Sequence, residues 1–214
     1  MTNARLFLFL VAFGLAPALA FAAPLKVVNV GAPKINCVFN TSCKVTVTDS
    51  IGNYPPANGY TGTPQLQSRT YEGAAGAPAA GLTAYEYRVD FTSATAHTDI
   101  NCAIDLKVAV GPVESLNYDG SGPAQVFVVT SGGVGSIGLS SADQTGDVIT
   151  FTFTTPVCPA NGVNAPGETS FFFGLAAKGH PHDLVAKSDL TFGGGEVNVD
   201  ARAPKYPRRI LRER

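Results

Sequence analysis

The sequence predicts an all-β protein, built as an antiparallel two-sheet β-sandwich of the immunoglobulin-like or jelly-roll kind, with a closed β-barrel as the alternative. Three observations predict this class. Apolar and polar residues alternate with a period of two along most of the chain, and clusters of Gly, Pro, Asn and Ser separate the alternating stretches. No window of helical length shows the three-to-four spacing of an amphipathic helix. When each short strand has one apolar face, two sheets can pack together and bury those faces between them.

Strands are predicted, in chain order, at 25–30, 43–48, 83–91, 100–110, 124–130, 147–155, 169–177 and 195–200. Between them, turn-forming residues predict loops at 49–62, 73–81, 117–123, 131–138 and 159–167. The stretch 100–110 places Ile104, Leu106 and Val108 on one face. The stretch 147–155 alternates apolar residues with threonines in the same way. Each of these strands is therefore expected to have one buried and one solvated face.

The first 22 residues have the layout of a secretory signal peptide. Arg5 precedes an apolar stretch at 6–15, and the triplets 18–20 and 20–22 have the small residues of a cleavage site. The apolar stretch is too short to cross a bilayer as a helix, and no later window approaches the about 18 unbroken apolar residues that a span needs. The sequence therefore predicts a secreted or periplasmic protein with no integral membrane segment once the signal is removed.

Residues 23–201 are predicted to form a single β-sandwich domain, followed by a basic, flexible tail at 202–214. Acidic residues outnumber basic ones in the domain, whereas the tail gathers most of its charge from Arg202, Lys205, Arg208, Arg209, Arg212 and Arg214. Such a tail is either a solvated chain end or an arm that contacts an anionic surface. No specific nucleic-acid binding is expected.

The chain has four cysteines, Cys37, Cys43, Cys102 and Cys158. An even number of cysteines in an exported protein predicts disulfides, and the absence of a Cys-x-x-Cys pair argues against a structural zinc site. We favour the pairing of Cys37 with Cys43 and of Cys102 with Cys158, because the first pair brackets a short turn-like segment. The other two pairings remain open.

The segment 117–126 is the most motif-like part of the sequence. It resembles the calcium loops of integrin-like propeller repeats, in which oxygen ligands at alternate positions surround the ion and glycines allow a sharp turn. The resemblance implies that Asn117, Asp119, Ser121 and Gln125 supply side-chain oxygens to a calcium ion, which is the candidate cofactor of this segment. Asp119 alone brings a carboxylate, whereas calcium affinity depends strongly on ligand charge. A glycine-rich hairpin loop without a metal is the alternative interpretation.

A second candidate metal site lies at His180, His182 and Asp183, where two imidazoles and a carboxylate fall within four residues. Copper or zinc accepts such ligands, and His97 with Asp99 are candidates to approach from another loop. Because Pro181 separates the histidines, an exposed His-Pro-His turn without a metal is the alternative.

Two further segments have simple structural interpretations. The triplet 171–173 is three successive phenylalanines, so at least one of them faces the side of a strand that should be wet. We expect these rings to be covered, with an exposed contact patch as the alternative. The glycine-rich run 131–138 lacks the lysine of a phosphate-binding loop and is interpreted as a flexible turn.

No motif names a reaction, since no Gly-x-Ser-x-Gly elbow precedes a helix. The expected function is therefore that of an exported, non-catalytic binding or structural module. The alternatives are a secreted hydrolase whose active site is assembled from loops and a calcium-binding module of the adhesion type.

Overall fold

The computed structural model describes residues 22–55, 60–97, 100–161, 166–191 and 194–205. Within these ranges the chain forms the helix α1 at Ala32–Phe39 and fifteen strands. The strands are β1 Ala23–Pro24, β2 Val27–Gly31, β3 Thr48–Asn53, β4 Tyr60–Thr61, β5 Gln65–Glu72, β6 Thr83–Asp90, β7 Thr95–Ala96, β8 Ala103–Ala109, β9 Val126–Ser131, β10 Leu139–Thr145, β11 Val148–Val157, β12 Ala160–Asn161, β13 Phe173–Ala177, β14 His180–Leu190 and β15 Gly195–Lys205.

The strands assemble into two six-stranded sheets and one small sheet. The first sheet has the order β1-β10-β11-β8-β14-β15, and its ladders are antiparallel. The second sheet has the order β2-β9-β13-β6-β5-β3 and is antiparallel except for the parallel pair β2 and β9. Strands β12, β7 and β4 form the small sheet. In the described residues the two large sheets stay separate and pack together, which confirms the predicted β-sandwich over the closed barrel.

The main core lies between the two large sheets and is rich in aromatic rings. The ring centroids of Phe151 and Phe173 are 5.0 Å apart, and those of Tyr87 and Phe151 are 6.0 Å apart. Tyr87 also donates a 2.8 Å hydrogen bond from its hydroxyl to the backbone oxygen of Arg202 on β15. Because this hydroxyl has a partner, the buried ring contributes apolar contact area without leaving a polar atom unpaired.

A second cluster covers the outer face of the second sheet. The helix α1 begins after the extended residue Gly31, with a proline in its first turn, and buries Ile35, Val38 and Phe39. The ring of Phe39 meets that of Tyr71 edge-on, with 5.0 Å between their centroids. The second sheet is therefore covered on both faces over the part that α1 reaches, unlike a two-layer sandwich with solvated outer faces.

Both predicted disulfides are present, and they join the cysteines in the favoured pairing. Cys37 and Cys43 connect α1 to the turn that follows it, across six residues of sequence. Cys102 and Cys158 connect the residue before β8 to the residue after β11, across 56 residues. The first bridge fixes the helix that covers the second sheet, and the second bridge closes a long loop of the sandwich.

Several predicted elements are confirmed and others are corrected. The predicted strands at 83–91, 124–130 and 147–155 correspond closely to β6, β9 and β11. The predicted strand at 43–48 is wrong, because β3 begins only at Thr48 and continues into the predicted loop 49–62. The helix α1 was not predicted, since eight residues with a proline and two β-branched side chains give no helical period. Strands β5, β10 and β14 were also missed.

The predicted alternation holds in part. Ile149, Phe151 and Phe153 on β11 are all buried, as are Leu106 and Val108 on β8. Ile104, which was expected on the same face as Leu106, is instead 36% exposed. The pairing of β8 with β11 shifts register near this end, which is a β-bulge or similar irregularity. Such a shift changes the face to which the following side chains belong.

The predicted signal peptide at 1–22 and the predicted basic tail at 202–214 lie at the two ends of the chain. Residues 1–21 and 206–214 lie outside the described residues. Strand β15 continues to Lys205, so the first four residues assigned to the basic tail belong to the first sheet. Within the described part of the chain, no helix has both the length and the apolar composition needed to cross a membrane.

Candidate functional site

The segment 117–126, which we call the Asn117 loop, is held together by hydrogen bonds to its own side chains. The Oδ1 atom of Asn117 accepts hydrogen bonds from the backbone amides of Gly120, at 2.8 Å, and Gly122, at 3.1 Å. The Oδ1 atom of Asp119 accepts from the amide of Ser121 at 2.8 Å and from its hydroxyl at 2.7 Å. The amide hydrogen bond is the main reason why the pKa of Asp119 lies below its ordinary value. These oxygens therefore hold the turn, as side chains of Asn and Asp commonly do.

The remaining candidate ligand of this loop has other partners. The side chain of Gln125 accepts a 2.9 Å hydrogen bond from the amide of Lys26 and donates a 2.8 Å hydrogen bond to the hydroxyl of Ser115. The ammonium group of Lys34 donates to the backbone oxygen of Asp119. The positively charged side chain of Lys34 thus occupies a backbone oxygen of the loop, which is the kind of ligand that a calcium ion would need.

The second candidate metal site begins a strand and does not form the exposed turn of the alternative interpretation. His180, His182 and Asp183 lie in the first residues of β14, so the two imidazoles share one side of the strand and the carboxylate lies on the other. The Nδ1 atom of His182 is 2.8 Å from the backbone oxygen of Ala203. The Oδ1 atom of Asp183 accepts a 3.2 Å hydrogen bond from Nε of Arg202. The strand geometry therefore separates the ligands that were predicted to act together.

His97 lies apart from these residues. Its Nε2 atom is 3.0 Å from the hydroxyl oxygen of Thr61, and the imidazole is exposed. Asp99, its predicted companion, lies outside the described residues. Within the described ranges, no histidine hydrogen-bonds to a serine or a carboxylate, and no group of three or more His, Cys, Asp or Glu side chains is arranged to hold a metal ion.

The three successive phenylalanines are covered, as expected. Phe173 is 1% exposed and packs in the core between the sheets. Phe172 is 6% exposed and belongs to the cluster on the outer face of the second sheet. Phe171 is half-buried against the main core. Phe172 and Phe173 thus pack on opposite faces of the second sheet. Because both faces are covered there, successive apolar residues replace the usual alternation of apolar and polar residues.

Beside Phe172, the outer face of the second sheet contains a cavity of about 340 Å³, which we call the Glu86 pocket. Its walls come from α1, from the segment after Cys43, from the turn after β9 and from strands β5, β6 and β9. The lining residues are Ala32, Ile35, Asn36, Val45, Val47, Arg69, Tyr71, Glu86, Val129, Gly132, Gly133, Val134 and Phe172. Val47 and Val134 are 40% and 51% exposed, so apolar side chains also form the mouth. Small-molecule sites have this mixture of apolar walls and a few polar groups.

A carboxyl group forms part of the floor of the pocket. Glu86 is 4% exposed, and its Oε1 atom accepts a 2.6 Å hydrogen bond from the hydroxyl of Tyr71. Burial raises the pKa of Glu86 to about 7, because the charged form loses its hydration. Burial likewise raises the pKa of Tyr71 well above its ordinary value, so this hydroxyl stays protonated and donates. A titratable group in a cavity with a strongly raised pKa is a recognised mark of a functional site.

The pocket is flanked by two ion pairs. Arg69 donates hydrogen bonds of 2.8 Å and 3.2 Å to the two carboxylate oxygens of Asp49, which lowers the pKa of that carboxylate. Arg88 lies 3.1 Å from the carboxylate of Asp90. The guanidinium carbons of Arg69 and Arg88 are 4.4 Å and 5.4 Å from the ring centre of Phe172. These contacts hold both arginines against the aromatic ring, as expected for cation–π interactions.

A larger depression of about 760 Å³ adjoins the Glu86 pocket and shares Val45 and Tyr71 with it. Its lining is mostly polar and consists of Asn40, Val45, Thr46, Thr48, Thr70, Tyr71, Glu72, Gly73, Ala74, Ala75, Thr83, Pro181 and Arg202. The side chain of Arg202 is held by Asp183. The segment after Cys43 contributes lining residues to both depressions.

The sequence reasoning missed the residues of the Glu86 pocket. Arg69 and Tyr71 lie on β5, which was not predicted, and Glu86 lies on a predicted strand but was not singled out as a candidate site residue. One signal was available, since Glu86 stands between Tyr85 and Tyr87, two large aromatic residues of the same strand. That signal does not reveal what covers the carboxyl group. Comparison with known proteins adds no further constraint, because no family model, curated protein or solved structure matches this chain.

Proposed function

We propose that this chain is an exported, non-catalytic binding module that holds a small organic ligand in the Glu86 pocket. The observation that carries the proposal is the nearly complete burial of a carboxyl group at the base of an apolar cavity of about 340 Å³. Such a group is costly to bury without a full set of hydrogen bonds, so its presence calls for a role. Ligand sites commonly combine apolar walls with one or a few convergent polar groups.

The surroundings of the cavity support a preformed site. The disulfide between Cys37 and Cys43 joins α1 to the segment that passes the mouth of the pocket. The ion pair of Arg69 with Asp49 fixes the side chain that lines the cavity from β5. A site whose walls are held before binding loses less conformational entropy when the ligand enters.

Export is supported by two features of different kinds. The layout of residues 1–22 is that of a secretory signal peptide. In the described part of the chain, the four cysteines are joined in two disulfides, which suits an oxidising compartment. A module secreted or retained in a periplasm would meet its ligand outside the cytoplasm.

Binding of a neutral apolar dye, N-phenyl-1-naphthylamine, tests the proposal with the oxidised, signal-free protein. We expect a saturable rise in dye fluorescence that fits one site. The substitution Val134→Asp places a charge at the mouth of the pocket and should abolish this rise, because entry of the dye would then desolvate a carboxylate.

Val148→Asp is the matched control, since Val148 is also exposed, at 38%, but lies on the first sheet. It should bind the dye like the unmodified protein. Absence of saturable binding, or equal binding by the Val134→Asp protein, would overturn the proposal that this cavity is a ligand site. Circular dichroism spectra of both variants establish that they are folded.

A further inference from the structure

We infer that the ligand of the Glu86 pocket is an organic ammonium compound, in which an apolar body carries a protonated amine. The amine would lie against the carboxyl group of Glu86, and the apolar body would fill the rest of the cavity. This inference rests on the proposed function and names the chemical class of the ligand.

The first reason is that the carboxyl group retains hydrogen-bonding capacity. The hydroxyl of Tyr71 donates to Oε1 of Glu86, and this is the only hydrogen bond that the Glu86 side chain makes within the described part of the chain. The other oxygen, Oε2, therefore remains for a ligand donor. A carboxylate accepts several hydrogen bonds, and an ammonium group is a donor that also compensates its charge.

The second reason is the balance of charge around the pocket. The guanidinium groups of Arg69 and Arg88 are each paired with an acid, Asp49 and Asp90 respectively. In the described residues, neither arginine hydrogen-bonds to Glu86. Arg69 lies opposite Glu86 in the strand register and its charge acts on the carboxylate, but its hydrogen bonds go to Asp49. Among the described residues, ionised Glu86 therefore makes no salt bridge of its own, and an ammonium ligand supplies one.

The third reason is the chemistry of the remaining walls. The lining residues contributed by α1, by the segment after Cys43 and by the turn after β9 carry no charge. Ile35, Val129 and Phe172 are buried apolar side chains, and they suit a ligand body that is also apolar. Among the described lining residues, the cation Arg69 is already paired with Asp49, so an anionic ligand would find no unpaired cation and would be repelled by ionised Glu86.

The inferred contact makes binding depend on pH. The titratable or charged groups that surround Glu86 are Tyr71 and Arg69 on β5 and, beyond Arg69, Asp49 on β3 and Arg88 on β6. Burial raises the pKa of Glu86 to about 7, whereas an alkylamine has a pKa of about 10. The carboxylate and the ammonium therefore coexist best at about pH 8.5, and acidification through about pH 7 should weaken binding.

Three probes with one apolar body test the ligand class: 4-phenylbutylamine, 4-phenylbutan-1-ol and 4-phenylbutanoate. Each competes with the fluorescent dye on the oxidised protein at about pH 8.5 and about pH 5.5. We expect the amine to bind about tenfold or more tightly than the alcohol at the higher pH, with the carboxylate weakest. The advantage of the amine should shrink at the lower pH.

Glu86→Gln should remove the preference for the amine and its pH dependence, while binding of the alcohol persists. Glu72→Gln is the matched control, because Glu72 lies on the same strand as Tyr71 but outside the Glu86 pocket, and it should leave both unchanged. If the dye binds and the alcohol or the carboxylate competes as well as the amine, the inferred ligand class is wrong and the binding site stands. If the dye itself does not bind, both the inference and the proposed function are overturned.

Discussion

The hydroxyl of Tyr71 donates a 2.6 Å hydrogen bond to the carboxyl group of Glu86, although the two residues are not directly opposite each other. In the register of β5 with β6, Tyr71 faces Ala84 and Glu86 faces Arg69. The contact is thus a diagonal one across neighbouring strands, within the reach of an aromatic side chain. It shows that the buried carboxyl group is held by the sheet itself and not by a mobile loop.

We predict that Glu86 makes the free energy of unfolding depend on pH. The pKa of Glu86 is about 7 in the folded protein and about 4.5 when unfolded. Its contribution to the free energy of unfolding is therefore fully present below pH 4.5 and is lost as the pH rises through 7. The free energy of unfolding of the Glu86→Gln protein, relative to that of the unmodified protein, should rise by about 2–3 kcal/mol between about pH 5 and about pH 8. Urea unfolding across this range measures the difference. Parallel pH profiles for the two proteins would contradict the prediction, and Glu72→Gln should run parallel to the unmodified protein.

We predict that Gly174→Ala destabilises the protein, because the strand beside Glu86 leaves no room for a methyl group. A Cβ atom at Gly174 would lie 2.3 Å from the backbone oxygen of Tyr85 and 3.1 Å from Cγ of Glu86. Overpacking of this kind typically costs about 1–3 kcal/mol. Gly138→Ala is the control, since the nearest atom lies 4.0 Å away and the free energy of unfolding should change little. Chemical denaturation of both variants decides the matter, and equal stabilities would show that the strand adapts.

We predict that the two disulfides differ in their contribution to stability. The bridge from Cys102 to Cys158 closes a long loop, so replacing both cysteines by serine should cost about 4 kcal/mol in the chain-entropy model. The same replacement of Cys37 and Cys43 should cost about 2 kcal/mol. Guanidinium unfolding of each double variant measures these values, and the reverse order would contradict the loop-length argument. The unmodified protein, denatured without reductant, should show no thiol labelling.

We predict that calcium does not raise the melting temperature of the protein. Asn117 and Asp119 already accept hydrogen bonds from amides of their own loop, and the ammonium group of Lys34 lies against the loop backbone. Thermal melts with calcium and with chelator should coincide. A large upward shift with calcium that disappears in Asp119→Ala would instead establish the metal site that the sequence suggests.

The sequence determined those features that depend on neighbouring residues or on strand periodicity. The alternation at 147–155 placed Ile149, Phe151 and Phe153 on the buried face, where they lie. The even number of cysteines and the short spacing of Cys37 and Cys43 led to the observed pairing. These inferences succeed because a strand turns successive side chains to opposite faces and because close cysteines meet readily.

Pro181 shows how tertiary pairing overrides a local signal. The sequence suggested a turn, yet Pro181 lies in β14 opposite Pro204 of β15. The ladder of β14 with β8 is confined to the other end of the strand, from Lys187 to Leu190. A residue without an amide hydrogen is tolerated in a strand where a partner is needed on one side only.

The Glu86 pocket was decided by the tertiary structure alone. Alternation correctly puts Glu86 on the face opposite Tyr85 and Tyr87, but it does not say what packs on that face. The helix α1 and the turn after β9 come from distant parts of the sequence, and they cover this face and remove the carboxyl group from water. Burial, and with it the raised pKa, depends on contacts between segments far apart in the chain, so local periodicity carries no record of it.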